Sequence, residues 1–189
     1  MAADLGVVAT FLLALLLSGA SCGIQAIAMS LSDNFFAVVA VYFLAFYVGY
    51  VLVTLPLGFY RGFVVAHRFG LSTQSAAGWF GDWLKSNGLG LLFGILFVEV
   101  IYWLLAVFPQ TWWIPAGVGS VLFSVVLSNL APVLLVPIFY KLRPLQDEAL
   151  VSRLTHLAER AGTKVRGVYT MNLSSKTTAA NAALMGLGN

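Results

Sequence analysis

The chain has 189 residues, 60% of them hydrophobic and 9% charged, with ten Lys and Arg against seven Asp and Glu for a net charge of +3. A soluble domain averages roughly 45–50% apolar and about 25% charged residues, so most of this chain is built for lipid. That excludes a soluble enzyme, a disordered tail and a nucleic-acid-binding module, and leaves nucleic acid out of the partners. One cysteine, Cys22, excludes an intramolecular disulfide framework and a cysteine-based zinc site.

Charged positions divide the chain. None falls between Asp4 and Asp33, or between Asp33 and Arg61, and from Lys85 to Lys141 the only one is Glu99. A spanning helix needs about 20 mostly apolar residues. The gaps therefore predict four transmembrane helices, near 7–29, 35–59, 88–107 and 113–138, with Phe108-Pro109-Gln110-Thr111-Trp112 dividing the last two. In hydrocarbon only helices or closed barrels satisfy the backbone, and these runs lack the alternation of barrel strands. The first span reads as a retained helix rather than a signal peptide, because its leader carries Asp4 and no basic residue. Gly19/Gly23 and Gly90/Gly94 form G-x-x-x-G pairs, a spacing that allows close helix packing.

Lys and Arg set the orientation. Arg61, Arg68 and Lys85 lie between spans two and three, in a stretch over 60–87 read as a loop, and the remaining seven follow span four. The positive-inside rule then places the 60–87 stretch, both termini and the segment after span four in the cytoplasm.

After Pro144 the pattern changes. Gln146 to Ala161 predicts an amphipathic helix, with Leu150, Leu154, Leu157 and Ala161 on one face. Asp147 and Glu148 in its first turn and Arg160 in its last suit the helix dipole, and Gly162 marks its stop. Lys164 to Asn172 suits a strand, Ser174 to Thr178 a turn, and Asn181 to Leu187 the start of a second strand. About 45 residues after Pro144 are few for an independent core. With the ending Gly186-Leu187-Gly188-Asn189, this reads as a domain cut partway.

The chemical inventory is sparse. The two histidines, His67 and His156, form no HExxH, and neither a P-loop nor a dinucleotide fingerprint occurs. His156 and Glu159 read as a solvated pair on the amphipathic helix, and His67 as a structural or interfacial residue. No catalytic residue and no metal ligand set is expected in this chain. Glu99 is the informative single residue. A mid-span carboxylate facing lipid costs roughly 2.5–3.5 kcal/mol on insertion scales, so Glu99 is a candidate to face the bundle interior or line a wet cavity.

Three stretches carry a resemblance. The first is Tyr60-Arg61-Gly62-Phe63-Val64-Val65-Ala66-His67-Arg68-Phe69-Gly70-Leu71-Ser72, followed by Trp79, Asp82 and Lys85. The second is Ala131-Pro132, then Pro137-Ile138-Phe139-Tyr140-Lys141-Leu142-Arg143-Pro144-Leu145. The third is Val168-Tyr169-Thr170-Met171-Asn172, then Ser174-Ser175-Lys176-Thr177-Thr178, Asn181-Ala182 and Gly186-Leu187-Gly188. In this order they resemble the type I CAAX prenyl endopeptidase family of membrane-embedded zinc metalloproteases.

The resemblance implies a fold class: an all-α multi-pass membrane protein with four transmembrane helices, then a partial α+β start of a zinc-metalloprotease domain. It divides the chain into a membrane-embedded region, 1–144, and an incomplete cytoplasmic-side protease region, 145–189. It implies a bacterial inner membrane or endoplasmic reticulum location, the lipid bilayer as surroundings, and prenylated or membrane-associated peptides as substrates. By resemblance, Asn181 and Ala182 belong to an edge strand that pairs substrate backbone. Zinc would be held by an HExxH motif and a later glutamate, all absent from this chain. The rival reading is a non-enzymatic membrane protein, a transporter subunit or a scaffold.

Overall fold

The computed structural model describes residues 2–140, 142–162 and 167–178. The chain divides into two compact units, Met1–Phe69 with Ala76–Gly117, and Gly70–Ser75 with Val118–Asn189.

In the first unit, α1 (Ala2–Leu17) and α2 (Ala20–Leu31) replace the single helix expected over 7–29 and meet at 69°. The break has a local cause. Gly19 sits at φ 72°, a left-handed conformation that only glycine adopts cheaply. A Cβ at Gly19 or Gly23 would meet nothing within 4 Å, so this G-x-x-x-G pair makes a bend and not a helix contact.

Helix α3 (Phe35–Phe59) opens on Asn34, whose side-chain oxygen accepts from the amides of Phe36 at 3.0 Å and Ala37 at 3.2 Å. The helix does not stop at the first arginine. It passes Pro56, which removes one helical hydrogen bond, enters a π-helical turn at Tyr60–Val65, and continues as α4 (Ala66–Arg68). Helix α5 (Ala76–Val107) likewise starts well before residue 88. Much of the stretch read as a 60–87 loop is therefore helix. Isolated charges end a hydrocarbon span without breaking a helix, whereas Gly70 at φ 65° does turn the chain.

Helix α3 is the hub of this unit, with α1, α2 and α5 all packed on it. Phe11 of α1 lies beside Gly49, with its ring 5.7 Å from Phe46. Ser21 of α2 meets the Tyr42 hydroxyl at 2.7 Å. Gly90 and Gly94 of α5 face Tyr47 and Phe43, where added Cβ atoms would come within 2.5 Å and 2.6 Å of the rings' outer atoms. This second G-x-x-x-G pair does bring helices together. At the far end of the π-helical turn, Gly62 lies against the Trp79 indole, and Phe59 stacks on Phe63 at 5.0 Å and meets Trp79 edge-on at 5.1 Å.

Among the described residues only Ala28, Val39 and Leu104 are buried, while leucines such as Leu17, 84% exposed, point outward. Such a surface is what a lipid-embedded bundle presents. Three helical runs, Phe35–Arg68, Ala76–Val107 and Trp113–Leu130, are long and apolar enough to cross a membrane, and the bent α1–α2 pair makes a fourth. The protein is a multi-pass, predominantly helical membrane protein.

Helix α6 (Trp113–Leu130) passes through a π-helical turn at Ala131–Leu135 into α7 (Val136–Phe139). In the second unit a short antiparallel ribbon follows. Strand β1 (Leu142–Pro144) pairs with β2 (Tyr169–Met171) in the register Leu142↔Met171, Arg143↔Thr170, Pro144↔Tyr169. Between them runs α8 (Glu148–Arg160), close to its expected limits. Asp147 accepts from the Leu150 amide at 3.0 Å, a cap that stabilises by about 1 kcal/mol, and Gly162 at φ 74° ends the turn. Strand β2 falls within the expected 164–172 strand. Strand β1 has no counterpart among the sequence expectations, because three residues ending in proline carry no periodicity.

Candidate functional site

The segment leading to Asn181 is held by a loop about a hundred residues away in sequence. Ser72 and Thr177 form an antiparallel bridge. The Thr73 amide donates to the Lys176 carbonyl and the Thr178 amide to the Leu71 carbonyl, both at 3.3 Å. Hydroxyls close the gaps. Ser72 donates to the Lys176 carbonyl at 3.2 Å, Thr73 to the Ser174 carbonyl at 2.7 Å, Thr177 to the Leu71 carbonyl at 2.9 Å, and Thr178 to the Gly70 carbonyl at 3.0 Å. The run of Ser and Thr, polar and turn-like in sequence, is a fastening.

Lys176 ties this fastening to the end of the last membrane helix. Its ammonium donates to the Phe139 carbonyl at 2.7 Å and lies 4.6 Å from the Tyr140 ring centroid. Phe139 is the last residue of α7, so its carbonyl is one of the helix-end acceptors that need a donor. A cation there also complements the helix dipole, and the aromatic face adds about 0.5–2 kcal/mol. Sequence reasoning alone gives Lys176 no role of its own. The only available signal is its place beside the Ser/Thr run, since Phe139 is 37 residues away.

Of the residues singled out from the sequence, Asn181 and Ala182 lie outside the described residues. Glu99 lies on α5 between Gly94, which faces Phe43, and Tyr102, which meets Phe35 at a ring distance of 6.4 Å. Its Oε2 is buried and has no hydrogen-bond partner among the described residues. The structure does not bring Glu99 to the Lys176 fastening, which belongs to the other unit.

Among the described residues no three His, Cys, Asp or Glu side chains come together as a metal site. His67 directs Nδ1 at the Phe63 carbonyl, 2.8 Å away, and packs on the Phe63 ring. His156 and Glu159 share the exposed helix α8. This donor set does not fit a catalytic zinc, which takes three protein ligands and an open position.

A family model described as the CAAX prenyl protease N-terminal region, with five membrane helices, matches residues 2–141. The chain belongs to this family. Among its relatives in this CAAX prenyl protease family, the uncharacterized metalloprotease YhfN of Bacillus subtilis is 36% identical over 137 residues, covering 72% of this chain and 32% of that protein. The probable CAAX prenyl protease 1 of Schizosaccharomyces pombe is 28% identical over 136 residues, covering 72% of this chain and 29% of that protein. The chain thus spans about a third of the length of the curated relatives it matches. The crystal structure of S. mikatae Ste24p superposes with a TM-score of 0.80 at 24% identity, covering 93% of this chain and 42% of that one, which shows a shared fold.

Proposed function

We propose that this chain forms the membrane wall and the substrate-guiding edge of a membrane-embedded metalloendopeptidase that acts on prenylated or membrane-associated peptides. The family match over residues 2–141 carries this reading. The fastening of residues 174–178 onto residues 70–73 supports it, because it anchors the stretch immediately before Asn181. In this reading residues 1–144 form the membrane region with both termini on the cytoplasmic side, and residues 145–189 belong to the protease region. Asn181 and Ala182 offer backbone groups to an extended peptide, as an open strand edge does, and Glu99 faces a water-containing interior. Zinc is the metal this reading calls for. Its ligands are not among the described residues, so no chemical step is assigned to this chain.

The test places a photo-crosslinking benzoylphenylalanine at Ala182 in the full-length gene product, reconstituted in liposomes, and offers a farnesylated peptide. Cleavage of the peptide and a crosslink displaced by unlabelled peptide are expected. Absence of cleavage refutes the protease reading. Cleavage without a crosslink at position 182 refutes the edge-strand assignment alone.

A further inference from the structure

The ribbon of β1 and β2 has two chemically different faces. Directly paired residues in an antiparallel ladder share a face, and neighbours along a strand alternate. Leu142 with Met171 and Pro144 with Tyr169 therefore make one apolar face, and Arg143 with Thr170 occupy the other. Asn172, two residues beyond Thr170, continues the polar face. Arg143, Thr170, Met171 and Asn172 line a half-open cavity of about 290 Å³.

The Arg143 backbone is fixed on both sides. Its carbonyl accepts from the Thr170 hydroxyl at 3.2 Å, and the next turn of pairing is closed by the Leu145 amide on the Val168 carbonyl at 3.0 Å. Its guanidinium has no ion-pair partner among the described residues. This chain therefore holds a forked five-donor cation on a pinned strand, beside a side-chain amide, without a counter-charge. A guanidinium matches a planar carboxylate with two parallel hydrogen bonds, and the Asn172 amide adds a donor. Ligand pockets for drug-sized molecules run to about 300–1,000 Å³. This cavity is at the lower limit, which suits the end of a peptide and not a large cofactor.

We propose that the Arg143–Asn172 cavity binds the free carboxylate at the C-terminus of a peptide. The inference rests on the reading that this protein acts on peptides, and it adds a determinant of which peptides are held.

The experiment uses the full-length gene product in nanodiscs and a fluorescein-labelled apolar pentapeptide in three forms: free acid, C-terminal amide, and amide with an internal Glu. Equilibrium binding by anisotropy and cleavage by chromatography are measured in parallel. The free acid is expected to bind about tenfold more tightly than the amide, the gain of one charge-assisted contact. Arg143→Gln is expected to bring the acid to the level of the amide while leaving amide binding and thermal stability unchanged. Arg143→Lys is expected to restore part of the preference, because it keeps the charge and loses the fork. Equal binding of acid and amide by the unsubstituted protein overturns the proposal. So does a preference that survives in both Arg143→Gln and Asn172→Ala. Equally tight binding of the internal-Glu amide overturns the chain-end assignment and gives the cavity to side-chain carboxylates. Acid preference without cleavage upholds the cavity and sinks the protease reading, so the two failures are distinguishable.

Discussion

Close packing of α5 on α3 at Gly90 makes a sharp stability prediction. A Cβ at Gly90 would lie 2.5 Å from the Tyr47 hydroxyl oxygen but 3.6 Å from Cζ, so the hydroxyl alone is the obstruction. That hydroxyl donates to the Asn87 carbonyl at 3.0 Å. In Gly90→Ala it must move, losing a bond worth about 0.5–1.5 kcal/mol and adding overpacking strain of about 1–3 kcal/mol. The better helix propensity of alanine returns up to about 1 kcal/mol. Net destabilisation is thus about 1–3 kcal/mol. Tyr47→Phe alone loses only the hydrogen bond, about 0.5–1.5 kcal/mol. Once the hydroxyl is gone, the new methyl meets the ring at ordinary van der Waals distance, so Gly90→Ala should cost nothing further in a Tyr47→Phe background. The assay is reversible unfolding in detergent micelles titrated with sodium dodecyl sulfate, run as a double-mutant cycle. A coupling energy of about 1–3 kcal/mol is expected. Gly88→Ala, where nothing lies within 4 Å, is the control and should be neutral or stabilising. Additivity of the Gly90 and Tyr47 substitutions within about 0.5 kcal/mol would refute the packing argument.

Three further outcomes are expected. Lys176→Met removes the donor on the Phe139 carbonyl, destabilising that junction by about 1.5–3 kcal/mol. Amide exchange at residues 71–73 and 176–178 should then accelerate while exchange in α3 and α5 does not change, and uniform acceleration would disprove a local fastening. Glu99→Gln should leave peptide turnover within about twofold, and Glu99→Leu should lower it by about tenfold if the carboxylate faces a wet interior; equal turnover in both rejects that placement. In a Cys22→Ala background, cysteines replacing Asp33 and Gln110 should label from outside intact cells and one replacing Ser86 should not, and the reverse pattern would overturn the orientation drawn from the lysines and arginines.

Composition alone determined that this is a membrane protein, and the charge-free intervals located its apolar helices, because transfer into hydrocarbon depends on residue chemistry and little on neighbours. The amphipathic helix α8 was legible for a related reason: Asp147, the Leu150/Leu154/Leu157 face and Gly162 act within a few residues of one another. The two G-x-x-x-G pairs mark the limit of such reading. They have the same spacing, yet Gly19 bends the chain at φ 72° and Gly94 receives the Phe43 ring. Which role a glycine takes depends on what lies opposite, and that is a tertiary fact. The continuation of helix through Arg61 and Arg68 was hidden because charge marks the edge of the hydrocarbon and carries no instruction to stop a helix. Lys176 on Phe139 and Ser72 on Thr177 join partners 37 and about a hundred residues apart. No local pattern encodes those pairings. They exist because folding brings unsatisfied carbonyls at a helix end and a loop within reach of the donors of a Ser/Thr-rich turn.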